Sequence, residues 1–148
     1  MIREATKYDM PILIEMMKDY SSQSPIAILQ NKDAHDPVHV ARLMEMMLAG
    51  RGFILIDDKH RGFLAAIVTG NVWCPEVLEL RELAWWVDPK HRNGTVGGRL
   101  WTEFDRRATK MIDDGRIDFV CTSVLSNSPF IDFTKRKYKL LEATFFRE

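Results

Sequence analysis

At 148 residues, with 46% apolar and 28% charged side chains, the chain has the size of one globular domain and is too apolar to stay disordered. Its 21 basic and 21 acidic residues cancel, which excludes a global field for nucleic acid or an anionic membrane and leaves room only for a small polyanion site. Cys74 and Cys121 lie far apart without a C-x-x-C or Cys/His spacing, so buried free thiols are expected, and neither a metal nor a disulfide.

The first residues, MIREATKYDM, are charged from position 3, and no apolar run approaches the roughly 18 residues of a membrane span. A cytoplasmic protein without a membrane segment is expected. MIREAT is a short first strand whose Thr6 caps the helix after it. From Tyr8 to Tyr20, Met10, Ile12, Leu13, Met16, Met17 and Tyr20 recur at three- and four-residue steps, with Pro11 tolerated in the first turn of a helix. Asp36-Pro37 opens a second helix with Val40, Leu43, Met44, Met47 and Leu48 inward, and Gly50 and Gly52 close it.

Residues 52–70 hold two apolar runs separated by DDKHRG, the pattern of an antiparallel hairpin. NVWCPE turns the chain, and VLELRELAWWVD is a strand that alternates early and is apolar on both faces late. Val96, Leu100, Phe104, Ala108, Met111 and Ile112 keep helical spacing up to Asp113-Asp114-Gly115. IDFVCTSVL is the next strand, residues 126–139 a short helix opened by Ser128-Pro129, and LLEATFFRE a last strand. The order β-α-α-β-β-β-α-β-α-β is that of one α/β domain, 1–148.

Between the central strand and the long helix stands VDPKHRNGTVGGRLW. A strand that passes through Gly94, Gly97 and Gly98 into a helix leaves the first helical N–H groups unpaired and aimed at one place, where the helix dipole favours an anion such as a phosphate. Glycines let such a ligand approach the backbone without meeting a Cβ. The plain alternative is a tight turn that lets the helix pack closely on the sheet. Neither the dinucleotide pattern nor G-x-x-x-x-G-K-[ST] is present.

The segment resembles the pyrophosphate loop of the GNAT-type N-acetyltransferases, (Q/R)-x-x-G-x-(G/A) after V-x-P and before a helix: Val87-Asp88-Pro89 and then Arg92-Asn93-Gly94-Thr95-Val96-Gly97 fill it. The family's first glycine falls on Thr95, with Gly94 one step earlier. The element order and EL-x-WWV-x-P-x-HR extend the resemblance, to short phage and bacterial members, over nearly the whole chain. It implies a mixed, mostly antiparallel central sheet flanked by about four helices, and acetyl-CoA as co-substrate without a metal. It places the pyrophosphate on the amides of Asn93 to Gly98, with Arg92 at the rim, and the pantetheine beside Trp85, Trp86 and Val87, where the strand parts from its neighbour.

Acyl transfer from a thioester to an amine needs a base and a donor for the oxyanion. The resemblance places the catalytic glutamate on the central strand: Glu82 is the first choice, with Glu79 acting through water the second. On a regular strand the two face opposite sides, and a bulge, usual in the family, changes that. For each, a solvent-facing glutamate paired with Arg81 or an equivalent is the alternative. The amide of Val87 is the expected oxyanion donor.

In many members a tyrosine of the last helix protonates the CoA sulfur. Here that position falls on Phe133 by one count and on Thr134 by the other, so Tyr138, a relay through Thr134, or departure without an acid remain open. Asn127, or Ser126 by the other count, is a hydrogen-bond partner for the pantetheine. His35 and Trp73 are placed at the acceptor pocket, and His91 at the border of the loop. KRKYK, 135–139, is a solvated face, with the CoA 3′-phosphate as the alternative. The acceptor implied is a small-molecule or peptide amine, and a homodimer is left open. Against the enzyme stands a non-catalytic acyl-CoA-binding regulatory module, which the missing tyrosine and Thr95 favour.

Overall fold

The computed structural model describes residues 1–148 and places five strands in one sheet in their order along the chain. β1 (Ile2–Glu4), β2 (Gly52–Asp57), β3 (Gly62–Gly70) and β4 (Leu78–Val87) pair antiparallel, and β5 (Phe119–Cys121) lies parallel to β4. α1 (Met10–Ser22), the short α2 (Ala27–Gln30) and α3 (Pro37–Met46) lie between β1 and β2, and α4 (Val96–Asp113) links β4 to β5. No helix is long and apolar enough to cross a membrane.

Local chemistry explains the helix ends. Thr6 and Asp9 form a reciprocal capping box before α1, reinforced by Arg3, whose guanidinium donates two 2.8 Å bonds to Asp9 and holds that carboxyl far below the usual carboxylate range. The Asp36 carboxylate accepts from the amides of Val38 and His39 at the start of α3. That helix runs into one π-type turn, Met47–Arg51, and stops at Gly50, whose φ of 102° is open to glycine at little cost.

The central strands are apolar on both faces because both are covered. Ile54, Ile56, Phe63 and Ala65 pack with Leu13, Met16, Met44 and Met47 under α1 and α3, whereas Phe53, Leu55, Leu64 and Leu80 meet Val96, Leu100, Phe104 and Ala108 of α4 on the other side. Ile112, read as part of the α4 stripe, is exposed, and Trp101 is buried in its place.

Three expectations change. Residues 140–148 form no strand, because no sheet edge of the chain meets them and strand propensity alone makes no ladder. The helix expected over 126–139 shrinks to one 3₁₀ turn, Phe133–Arg136, opened by the Asp132 carboxylate and ended by Lys137 in the left-handed region. Cys74 is exposed in the turn after β3, and Cys121 is half-buried on β5; neither is paired.

Two irregularities position the site. Ala65 faces Ala84 while Ala66 faces Glu82, so Leu83 is an extra residue that bulges β4 just after Glu82. β4 and β5 then pair over only three residues, Glu79 to Arg81 with Phe119 to Cys121, and part beyond them.

Candidate active site

The parted strands and the head of α4 enclose a cleft of about 680 Å³, a size at which small-molecule sites occur. Glu82, Trp85, Trp86 and Val87 of β4 form one wall. Ser123, Val124 and Leu125, after β5, form the other. Gly97, Gly98 and Trp101 of α4 close one end, and Tyr20 and Gln23 at the end of α1 close another. The Asn127 side-chain amide donates to the Gln23 carbonyl at 2.9 Å, tying the segment after β5 to α1.

At the head of α4 the first amide spent inside the helix is that of Arg99, on the Thr95 carbonyl. The amides of Asn93, Thr95, Val96, Gly97 and Gly98 have no backbone acceptor, and no side chain caps the helix. The Gly94 amide is already spent on the His91 carbonyl at 3.1 Å, so the donor set skips it. A Cβ on Gly97 would stand 3.4 Å from Val87, so close packing accounts for that glycine. On Gly98 it would meet nothing within 4 Å, so packing does not explain its missing side chain. Arg92 turns its guanidinium inward, with Nε on the Val87 carbonyl and Nη2 on Gln23 Oε1, both at 2.8 Å. On the outer side of the same turn, Arg61, Lys90, His91 and Arg99 line a second pocket of about 390 Å³ with Gly94, Thr95 and Val96.

The two central carboxylates differ. Glu79 pairs with Arg81 at 3.0 Å and stands outside the cleft. Glu82 is buried within it; burial pushes its pKa up to about 7, opposed by hydrogen bonds from the Ser123 amide and the Thr122 hydroxyl. Tyr20 shares the cleft, its hydroxyl bonded to nothing in the protein, with a pKa pushed up to about 12 by burial and then by the Glu82 charge. Trp86 Nε1 is buried without a partner. Trp85 stacks on Trp101 with centroids 5.5 Å apart, and Phe133 packs 5.1 Å from the same indole.

No protein-family model matches the sequence, and no curated protein matches it. Among solved structures, a possible acetyltransferase from Clostridium difficile 630 superposes with a TM-score of 0.66 at 15% identity, over 100% of this chain and 96% of that one. An aminoglycoside acetyltransferase from an uncultured soil metagenomic sample, in complex with sisomicin, gives 0.63 at 14% identity, over 100% and 95%. AAC(6')-Iy in complex with a CoA-linked bisubstrate analogue gives 0.61 at 16%, over 100% and 97%.

The fold is that of the GNAT-type acetyltransferases. Within this GNAT fold the cleft gathers Glu82, Trp85, Trp86, Val87, Arg92, Gly94, Gly97, Gly98, Asn127 and Phe133. Thr95 and Val96 line the outer pocket, and Asn93 is exposed and lines neither.

Glu79, His35 and Trp73 are not brought to the cleft. His35 lies in the turn before α3, with Nε2 buried and unpartnered and its pKa lowered by burial and by Lys18. Trp73 is 90% exposed in the turn after β3, its amide on Asn71 Oδ1. Tyr138 donates to Asp105 at 3.0 Å and Thr134 bonds Asp132, so both alternatives to the family's tyrosine are engaged elsewhere. Sequence reasoning missed Tyr20 and Gln23. Tyr20 ends the apolar stripe of α1, and its place as the last of that stripe, beside polar SSQS, is the signal that could have marked it.

Proposed function

We propose that this chain moves an acetyl group from acetyl-CoA to a primary amine by direct attack. One observation carries the reading: of the five unspent amides at the head of α4, those of Gly97 and Gly98 stand at the cleft that holds a buried carboxylate whose pKa is about 7, and the others border the turn just outside it. The open space at Gly98 fits a diphosphate drawn close to the backbone. The edge of β4 beyond Arg81, free of a strand neighbour, suits an extended pantetheine arm.

An alkylammonium cannot attack a carbonyl, so Glu82 takes its proton; a base with a pKa near neutrality combines a large ionised fraction with useful basicity. The nitrogen lone pair then forms the C–N bond, and the carbonyl electrons move onto oxygen, opposite the Val87 amide. As the C–S bond breaks, the sulfur takes a proton, and Tyr20 is its candidate source, with the Glu82 proton replacing it; the second proton of the attacking nitrogen, acidic once the C–N bond has formed, then passes through the freed Glu82 carboxylate to solvent, which leaves the neutral amide and the CoA thiol. Tyr20 fills this role because Phe133 has no proton to give.

The test is release of free CoA thiol from acetyl-CoA with a panel of primary amines. Amine-dependent release supports the reading. If acetyl-CoA raises the melting temperature but no amine gives turnover, the chain is a binding module, the reading that the missing tyrosine favours. If acetyl-CoA does neither, the cofactor assignment fails as well.

A further inference from the structure

The charges and unspent donors of the cleft bear on which amine it takes. Only two carboxylates line it, Glu82 and Asp132. Glu82 is the base, and Asp132 is spent on its own turn, accepting from the amide and the hydroxyl of Thr134. The other charged side chains of the lining are cations, Arg92 and Arg136. An acceptor with several ammonium groups, such as a polyamine, therefore finds no counter-charge beyond the base itself.

Gln23 offers a group of the opposite kind. Its Oε1 accepts from Arg92 Nη2 at 2.8 Å, and because a guanidinium only donates, that bond fixes which end of the amide is which. Nε2 is thus turned away from Arg92, and nothing in the chain accepts from it. The arrangement is held on both sides, by Arg92 on the Val87 carbonyl and by Asn127 on the Gln23 carbonyl. Trp86 supplies a second unspent donor: its side chain is buried, and Nε1 has no partner. It lies on the α1 side of β4, packed with Leu13 and Met16 and 6.4 Å from Phe63, whereas Trp85 stacks on Trp101 under α4. The cofactor enters from the α4 end, so the donors at the α1 end are left for the other substrate.

We infer, on the basis of the acetyl-transfer reading above, that the acceptor is an α-aminoacyl group, an amine whose neighbouring carbon bears a carbonyl, as in a free amino acid, its amide or a peptide N-terminus. Gln23 Nε2 and Trp86 Nε1 donate to the carbonyl oxygen while Glu82 takes the amino proton. That oxygen has two lone pairs and so accepts both donors; an amine without it leaves a buried donor unmet, which is how a polar site rejects an analogue. Basicity agrees. An α-ammonium group has an ordinary pKa of about 7.7–8.0 against ~10.4 for an alkylammonium, so its proton passes to a carboxylate of pKa about 7 in a nearly balanced step.

The test compares CoA thiol release with phenethylamine, phenylalaninamide, phenylalanine, phenylalanylalanine and spermine, with rates taken per concentration of neutral amine so that basicity does not enter. At least one of the three aminoacyl acceptors is expected to exceed phenethylamine about 10-fold or more in kcat/KM, with spermine no better than phenethylamine. Which of the three leads separates a free amino acid from a chain terminus. In Trp86→Phe, and in Gln23→Glu, which keeps an oxygen for Arg92 and removes the donor, that ratio falls at least about threefold. A ratio between two acceptors is unaffected by any change in cofactor handling. Turnover in which phenethylamine equals the aminoacyl acceptors, or spermine surpasses them, overturns the inference and leaves acetyl transfer standing; no turnover with any amine removes both. The ratio in the unsubstituted protein decides the matter even if a variant fails to fold.

Discussion

The Thr122 hydroxyl donates to Glu82 Oε2 at 3.0 Å across the point where β4 and β5 separate. The residue that leaves the sheet therefore holds the carboxylate that the sheet buries. Because this bond favours the charged form, Thr122→Val raises the Glu82 pKa above about 7. The acid limb of kcat/KM moves to higher pH by up to about one unit, while the rate at high pH changes little. An unmoved profile removes Thr122 from the account.

Glu82→Gln lowers kcat at least ~100-fold and removes the limb near pH 7, whereas Glu79→Gln, which loses only the contact with Arg81, stays within about threefold of the original. The stability effect has the opposite sign. Glu82 has a folded pKa near 7 against an ordinary 4.5, so the folded state holds its proton more tightly; the favourable contribution is complete below pH 4.5 and disappears as pH rises through 7. Glu82→Gln therefore changes thermal stability little at pH 5 and raises it at pH 8, by up to about 3 kcal/mol. Melting curves at the two pH values read this directly.

Gly98→Ala separates binding from folding. Its Cβ meets nothing in the protein, and alanine favours a helix over glycine by about 0.5–1 kcal/mol, so the melting temperature rises by roughly 1–3 °C. The same methyl group stands where the proposed diphosphate seat lies, so KM for acetyl-CoA is expected to rise severalfold. A variant that is both more stable and unimpaired argues against the seat.

Tyr20→Phe keeps the ring and removes only the free hydroxyl. The expected result is a fall in kcat of about 10- to 100-fold with KM for acetyl-CoA unchanged. An equal fall with Tyr138→Phe, whose hydroxyl is held by Asp105, would move the proton donor to the other side of α4.

Asp57, fully buried at the end of β2, receives Arg61 at 2.7 and 2.9 Å and the Lys59 amide, which lower its pKa to about 2. With the folded value below the ordinary 3.8, its contribution is present above pH 3.8 and is lost as pH falls through about 2. Asp57→Asn lowers the melting temperature at pH 7 by on the order of 5 °C and flattens its fall at low pH. Equal melting temperatures at pH 7 would show that the pair contributes nothing.

Periodicity made α1, α3, α4 and the β2–β3 hairpin legible, since each buries a regular stripe or alternation against one neighbour. The glycine cluster was legible because unpaired amides arise from strand-then-helix chemistry alone. The end of the chain was not. LLEATFFRE has strand chemistry, but pairing depends on an available edge, which no local pattern encodes. Glu82 was put before Glu79 only through the resemblance; the difference in their surroundings rests on the Leu83 bulge, on Arg81 and on where β5 turns away, none of which the strand pattern encodes. Tyr20 looked like one more apolar residue of α1 because the space beside it is made by segments about 60 and 100 residues further along.

The diphosphate seat is tested most directly by backbone amide spectra of the isotopically labelled protein during titration with coenzyme A. The account predicts large shifts and slowed exchange at Thr95, Val96, Gly97 and Gly98, with Gly94, already bonded to His91, moving least. Saturable binding that leaves these four amides unmoved while others shift would contradict it.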